Sequence, residues 1–283
     1  MMNALKAGVA ILRGGGSALD AVVAGVVILE DDPLFNAGFG STLNADGAVE
    51  MDASVMVSSH GETKAGAVAT ISRVKNPILL AREVMEHTTH VMLAGNGAER
   101  FARDQGFRLC DPDSMIAPRA RERFVARLKR QHQTGFASQQ YGTVGAVALD
   151  LHGQLAAATS TGGVPGKMVG RIGDSAIIGA GTFASEYAAA SATGHGEAIM
   201  MGSLCRETVE ALGGSDPMGI ARAKIAELIA PQGVDAGIIL IDRKGRIAHA
   251  HNAETMEIAS YHFTHGIHHE RSAPMPPVRK SRK

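Results

Sequence analysis

The sequence predicts a layered α+β fold with helices outside two sheets. Three observations carry this: strand-like runs in both halves of the chain, helical patterns grouped apart from them, and glycine clusters punctuating the apolar runs. Two groups of strands bury their apolar faces most simply against each other and against covering helices. At 283 residues, 45% hydrophobic and 20% charged, the chain can bury a substantial core. Its 34 glycines sit in short clusters, which suits tight turns and close backbone approach.

Two helices open the chain, separated by Gly14-Gly15-Gly16. Ser17 serves as N-cap of the second, whose apolar face carries Leu19, Val22, Val23, Val26, Val27 and Leu29. A Gly/Asn-punctuated turn spans Asp31 to Asn44, and strand-like runs follow at Gly47–Val57 and Ala65–Ser72. Asn76-Pro77 starts a helix over Ile78–His87. The apolar run Val91–Leu93 then precedes a helix over Asn96–Gln105. From Gly106 to Gly142, two prolines, a Lys/Arg-rich stretch and a Gln-rich end predict an exposed, mobile linker with at most one or two helical turns.

After Gly142 the pattern turns to β. Val144–Leu149 and Gln154–Thr159, around Asp150 and His152-Gly153, form a hairpin. Short strands follow near Ala176–Ile178 and Tyr187–Thr193, then helices over Glu197–Leu212 and Pro217–Ile229. A second hairpin joins Ala236–Ile241 to Arg246–His251. The tail from about residue 267, with its prolines and basic residues, reads as disordered.

Composition also excludes function classes. Formal net charge is zero, so no global basic field recruits nucleic acid or an anionic membrane, although the Arg119–Arg130 run is locally basic. Trp is absent and aromatics are scarce, which argues against base stacking or a sugar groove. Cys110 and Cys205 form no disulfide framework or metal spacing. No apolar run reaches the ~18 to 20 residues of a membrane span, so a cytoplasmic, reducing location is expected. His262, His265, His268 and His269 lack companion carboxylates in the pattern and read as solvated rather than metal ligands.

The chemistry concentrates after the linker. Thr143 heads a strand, as many threonines do, but Gly142 precedes it, and a residue without Cβ permits the strained geometry that self-attack needs. If the Gly142–Thr143 bond breaks, Thr143 gains a free α-amine beside its hydroxyl. An α-amine of pKa about 7.7 to 8.0 is a usable base near neutrality, so the residue carries nucleophile and base together. Thr159–Gly163 closes the hairpin with hydroxyls and open backbone. Gly170–Ser175 puts Arg171 and Asp174 in a Gly-bracketed loop, a pair able to hold an amino-acid head group. Ala192–Glu197 ends a strand and opens a helix, where backbone N–H groups can receive an oxyanion. Taken singly, these runs also read as a Gly turn, an internal salt bridge and a helix cap.

Together with Phe35–Gly38 and Glu50–Ser54, these runs resemble the plant-type asparaginase / isoaspartyl peptidase family, which includes the glycosylasparaginases. The resemblance runs from Ala4 to about Met256. It implies the four-layer αββα fold of N-terminal-nucleophile hydrolases, cleavage before Thr143, and a heterotetramer of two α and two β pieces. The implied substrates are β-aspartyl dipeptides and L-asparagine. By the same resemblance Thr143 is the nucleophile and Thr161 tunes it. Arg171 holds the substrate carboxylate, while Asp174 and the Gly196 carbonyl hold its ammonium. Thr193 and the Gly194 N–H form the oxyanion hole, and Asn36 supports the site. No cofactor is implied for catalysis. A structural sodium is implied on the backbone carbonyls of Leu29, Glu30, Asp32, Phe35, Ala37 and Phe39, a donor type that suits a hard cation.

The chain also departs from the family pattern. Members begin with an apolar strand ending in a His-Gly-Gly-Ala-Gly type run, whereas this sequence starts at Met1-Met2-Asn3. Loss of that strand predicts a bare sheet edge, poor folding and slow processing. Val164–Lys167 lacks the Asn common there. Two alternatives stay open: a glycosylasparaginase, and a truncated, non-catalytic homologue.

Overall fold

The structure, a computed structural model, describes residues 1–131 and 142–274. Residues 132–141 of the expected linker and 275–283 of the expected tail lie outside the described residues. Helices α1 (Met2–Arg13) and α2 (Ala18–Asp31) open the fold, and the Ser17 hydroxyl caps α2 by accepting from the Asp20 N–H. Strands β1 (Met51–Ser59) and β2 (Glu62–Ile71) form a hairpin. Helix α3 (Pro77–His87), short β3 (Met92–Ala94) and α4 (Gly95–Asp104) follow.

Strands β4 (Val144–Leu149) and β5 (Leu155–Thr161) complete a five-stranded sheet of order β3-β2-β1-β5-β4. The second sheet, order β6-β7-β8-β9, contains β6 (Thr182–Ala184), β7 (Ala188–Gly194), β8 (Ala236–Asp242) and β9 (Ile247–His251). Helices α2 and α3 cover one face of the first sheet. Its other face meets the second sheet through a small apolar core containing Met56, Leu155, Ala157, Ala184 and Ala189. The far side of the second sheet carries α6 (Gly196–Gly202), α7 (Leu204–Glu210) and α8 (Pro217–Lys224), with Ile199, Leu204, Ile225 and Ile238 buried between them. The fold is therefore mixed α+β with several sheets and helices on the outer faces.

Four segments differ from the sequence expectation. Within the linker, Pro118–Gln131 forms a full helix, α5. Ala117, Ala120 and Phe124 recur at helical spacing and turn inward, which anchors a helix rich in Arg. The expected single helix over Glu197–Leu212 breaks at Ser203, which adopts a left-handed φ of 45° and ends α6. The head of the expected disordered tail is ordered: β11 (Gly266–Ser272) pairs with β10 (Met256–His262) as a hairpin, with Ile258 buried and Gly266 at φ 76° in the turn. The expected strand at Ala176–Ile178 is instead a tight helical turn at Asp174–Ala176.

The sheet order ends on β4, whose outer side looks onto a largely apolar groove of about 430 Å³ between α1, β8, β9 and β10. Among the described residues, no helix is long and apolar enough to cross a membrane. No group of three or more His, Cys, Asp or Glu is placed to hold a metal ion there either. His262 stacks on His265 in the β10–β11 turn, while His268 pairs with Glu270.

One buried acid ties three elements together. Glu30, fully buried near the end of α2, accepts the Ser160 hydroxyl of β5 at 2.6 Å and the Ile78 N–H at the start of α3 at 3.0 Å, both through Oε1. Burial drives its carboxyl up to about 8, and those hydrogen bonds only partly oppose the shift. A raised carboxyl keeps its proton in the folded state while the unfolded chain releases it, so stability falls as pH rises from about 4.5 towards about 8. Tm measured across that window should fall with pH. Glu30→Gln, which retains the Oε1 acceptor without titrating, should flatten the slope, and equal slopes in both proteins would assign the ionisation elsewhere.

Candidate active site

Strand pairing delivers Thr143. The β4–β5 register sets Val144 against Ser160 and Gly145 against Thr159, so Thr143 arrives opposite Thr161. The Thr143 hydroxyl donates to the Thr161 hydroxyl at 3.1 Å, and Thr161 Oγ1 also accepts the Gly163 N–H at 3.0 Å. The hairpin turn is fixed from outside: Asp150 accepts the Ala18 N–H at the start of α2 at 2.9 Å and the N–H groups of His152 and Gln154. The missing Cβ of Gly142 serves close approach, since a Cβ there would stand 3.0 Å from that of Asn36.

Asn36 is a bracket between three loops. Its side-chain amide donates to the Gly163 carbonyl at 2.7 Å, its Oδ1 accepts the Thr42 N–H, and its backbone carbonyl accepts the Gly162 N–H. The same loop carries the carbonyls expected to hold sodium. Gly38, at φ 53°, folds so tightly over the end of α2 that a Cβ would strike the Glu30 carbonyl. The carbonyls of Asp32 and Ala37 accept from the Phe35 and Gly40 N–H groups.

A pocket lined by Gly142, Thr143, Thr161, Arg171, Asp174 and Gly194 brings the expected nucleophile and charged pair together. Asp174 is buried and its Oδ2 has no hydrogen-bond partner, so burial pushes the carboxyl up to about 7. The nearby Arg171 guanidinium partly offsets this, and Asp52 and Glu197 add to it. Thr193 is half-buried at the end of β7. Gly194 follows at φ 135°, packed so closely on Ala236 that a Cβ would collide with it. Gly196 opens α6 beside both charged groups: a Cβ there would lie 2.7 Å from Arg171 Nη2 and 2.8 Å from Asp174 Oδ1.

Several partners were not legible in the motifs. Arg171 is held by Glu197 in a bidentate pair, Nε and Nη2 each 2.9 Å from a carboxylate oxygen. Asp52, fully buried on β1 opposite Thr161, accepts the Gly173 N–H at 2.9 Å and the Thr70 N–H at 3.0 Å, which fixes the loop that carries Arg171 and Asp174. Burial raises the Asp52 carboxyl even against the attraction of Lys167. Lys167 is buried too and donates to the Glu50 carbonyl at 2.8 Å. Burial lowers its ammonium while Asp52 and Glu50 oppose the shift. A Glu one residue after Gly196 and a Lys after Gly166 were the only sequence signals for these contacts.

Thr143 just ahead of a strand, the charged pair Arg171 and Asp174, and Gly194 thus line one pocket. The chain matches the asparaginase family over residues 1–270 and belongs to that family. It is 49% identical over 206 residues to the isoaspartyl peptidase/L-asparaginase of Rattus norvegicus, covering 72% of this chain and 61% of the relative. The Homo sapiens protein of the same name is 48% identical over 214 residues, covering 74% and 68%. The plant-type L-asparaginase of Pyrococcus furiosus is 44% identical over 261 residues, covering 86% and 83%. The chain thus spans less than two thirds of the length of the rat and mouse relatives.

Gly196→Ala fills the space between Arg171 and Asp174 without demanding an unusual φ. Calorimetric titration with L-aspartate should show binding weakened at least about tenfold while Tm changes little. Unchanged affinity would remove that space from the head-group site.

Proposed function

We propose that the chain is a self-cleaving amidohydrolase that releases L-aspartate from β-aspartyl dipeptides and L-asparagine. The observation that carries this reading is the Thr143 hydroxyl, 3.1 Å from that of Thr161 and in one pocket with Arg171 and Asp174. The names of the relatives, isoaspartyl peptidase/L-asparaginase and plant-type L-asparaginase, support the substrate class. The outer helices and two facing sheets support a four-layer αββα arrangement.

Self-cleavage begins when Thr143 Oγ1 attacks the Gly142 carbonyl carbon. The C–N bond breaks as the C–O bond forms, leaving an ester and a free α-amine, and water then hydrolyses the ester. In turnover that amine takes the Oγ1 proton and Oγ1 attacks the substrate side-chain amide. The oxyanion is received by the Thr193 hydroxyl and the Gly194 N–H. The leaving amine departs with the proton, and water releases L-aspartate from the acyl-enzyme. Arg171 takes the substrate α-carboxylate, and Asp174, with the Gly196 carbonyl, takes the α-ammonium. Every step uses groups of the chain and water. A sodium ion would be held at the negative end of α2 by the carbonyls of Leu29, Glu30, Asp32, Phe35, Ala37 and Phe39. Its contribution would be to fix the loop that carries Asn36. The assembly proposed is a heterotetramer of two α and two β pieces.

On a denaturing gel the purified chain should resolve into residues 1–142 and 143–283, and Thr143→Ala should stay whole and inactive. A full-length chain that turns over substrate without being cut rules the mechanism out. Arg171→Ala should raise KM roughly tenfold or more, because a charge-assisted bidentate pair is lost.

The Asp174 carboxylate must be ionised to accept an ammonium, and its pKa lies at about 7. The Ki of L-aspartate should therefore rise as pH falls through about 7. Succinate, which lacks the ammonium, should show no such rise; a parallel rise for both ligands would detach Asp174 from ammonium binding.

A further inference from the structure

We infer that four buried hydroxyls between the sheets, Ser54, Thr159, Thr182 and Ser191, are the positioning device that sets the oxyanion hole at its working distance from the nucleophile. Nucleophile and oxyanion hole sit on different sheets: Thr143 leads into β4 of the first, while Thr193 and Gly194 end β7 of the second. Among the described residues no strand hydrogen bond joins those sheets, so backbone pairing alone leaves them free to slide over one another.

The four hydroxyls remove that freedom. Ser54 and Thr159 are register partners across β1 and β5, and Thr182 and Ser191 are register partners across β6 and β7. The two pairs face each other. Ser54 Oγ lies 2.7 Å from Thr182 Oγ1, Thr182 donates to Thr159 at 2.6 Å, and Thr159 meets Ser191 at 2.7 Å. Two backbone carbonyls extend the set, with Thr159 donating to Gly181 at 3.0 Å and Ser54 lying 2.6 Å from the Ser175 carbonyl.

Proton accounting orders this network. With the Thr159 proton given to Gly181, Ser191 and Thr182 both donate to Thr159, and Ser54 divides its proton between Ser175 and Thr182. All four groups are buried, so none can exchange its partner for water.

Their place in the pleat links them to the chemistry. Side chains two residues apart share a face, so Thr159 lies directly beneath Thr161, and Ser191 directly beneath Thr193. On the third strand Gly145 lies beneath Thr143, and a Cβ there would collide with Ser191 Oγ. The hydroxyl layer is thus one pleat below the reacting layer on all three strands, and Gly145 is small so that Ser191 can reach in. A shift of one sheet against the other moves Thr193 and Gly194 relative to Thr143 by the same amount. Misplacement on the order of 1 Å can cost about 100-fold in rate.

This inference rests on the proposed function, and the experiment separates the two. Ser191→Ala and Thr159→Val each remove a cross-sheet hydroxyl, and Thr159→Ser keeps one. Both deletions should slow self-cleavage and lower kcat roughly 10- to 100-fold, with KM for a β-aspartyl dipeptide little changed, because Arg171 and Asp174 are held by other contacts. Thr159→Ser should recover most of the loss. Hydrogen exchange at the Thr193 and Gly194 amides should quicken in the deletions and return in Thr159→Ser.

A seam that only stabilises the fold would lower Tm in both deletions and leave kcat and exchange at Thr193–Gly194 unchanged. That result overturns the inference, and Ser191→Ala decides it alone if Thr159→Val fails to fold. A wild-type chain that neither cuts itself nor hydrolyses substrate overturns the proposed function instead, and exchange at Thr193–Gly194 still decides the seam.

Discussion

The register of β4 on β5 is the constraint on which the site depends. With Gly145 opposite Thr159, Thr143 reaches Thr161 and points into the space between the sheets. A slip of one residue would set Thr143 against Ser160 and turn it towards the helices, since strand side chains alternate faces. Two independent ties resist that slip. Asp150 anchors the hairpin turn to the first N–H of α2, that of Ala18, and Glu30 grips Ser160 from the helix side. Neighbouring residues of β5 therefore hold opposite tasks: Ser160 binds the strand to α2, while Thr159 and Thr161 face the second sheet.

Three buried carboxylates show how local partners divide one residue type among uses. Asp52 accepts two backbone N–H groups and acts as a strut for the loop after Gly170. Glu30 accepts one hydroxyl and one N–H through a single oxygen and holds three elements together. Asp174 leaves an oxygen with no partner, facing the pocket. Glu30 Oε2 is also without a partner, but it is sealed in the core, whereas Asp174 lines the pocket with Thr143 and can meet a donor that enters there.

Much of this was legible in the sequence where a local signal exists. The capped α2, the hairpin ending at Thr161 and the Arg171–Asp174 loop each carry their own turn or periodicity. Glu30 and Asp52 carried none, because an acid near a helix end or in a strand looks ordinary until a distant N–H arrives. The sequence reads α5 as linker because its charges are conspicuous and the inward residues there, Ala117, Ala120 and Phe124, are few. It reads β11 as tail because prolines follow soon after residue 273. Glu197 stood inside a recognised motif, yet its pairing with Arg171 depends on where α6 packs, which no spacing reveals.

On the proposed function, the Arg171–Glu197 pair makes ligand entry an exchange rather than a simple arrival. An incoming carboxylate finds the Nε–Nη2 edge of the guanidinium already matched by a carboxylate, tethered and therefore present at high effective concentration. A plain anion brings nothing that Glu197 does not already supply, and displaces it only weakly. A zwitterion brings an ammonium for Asp174 as well, and that second contact tips the exchange. Glu197 is half exposed and returns to water at small cost when it yields. The resident carboxylate is thus a built-in competitor, one that filters the common anions of its surroundings before any chemistry begins.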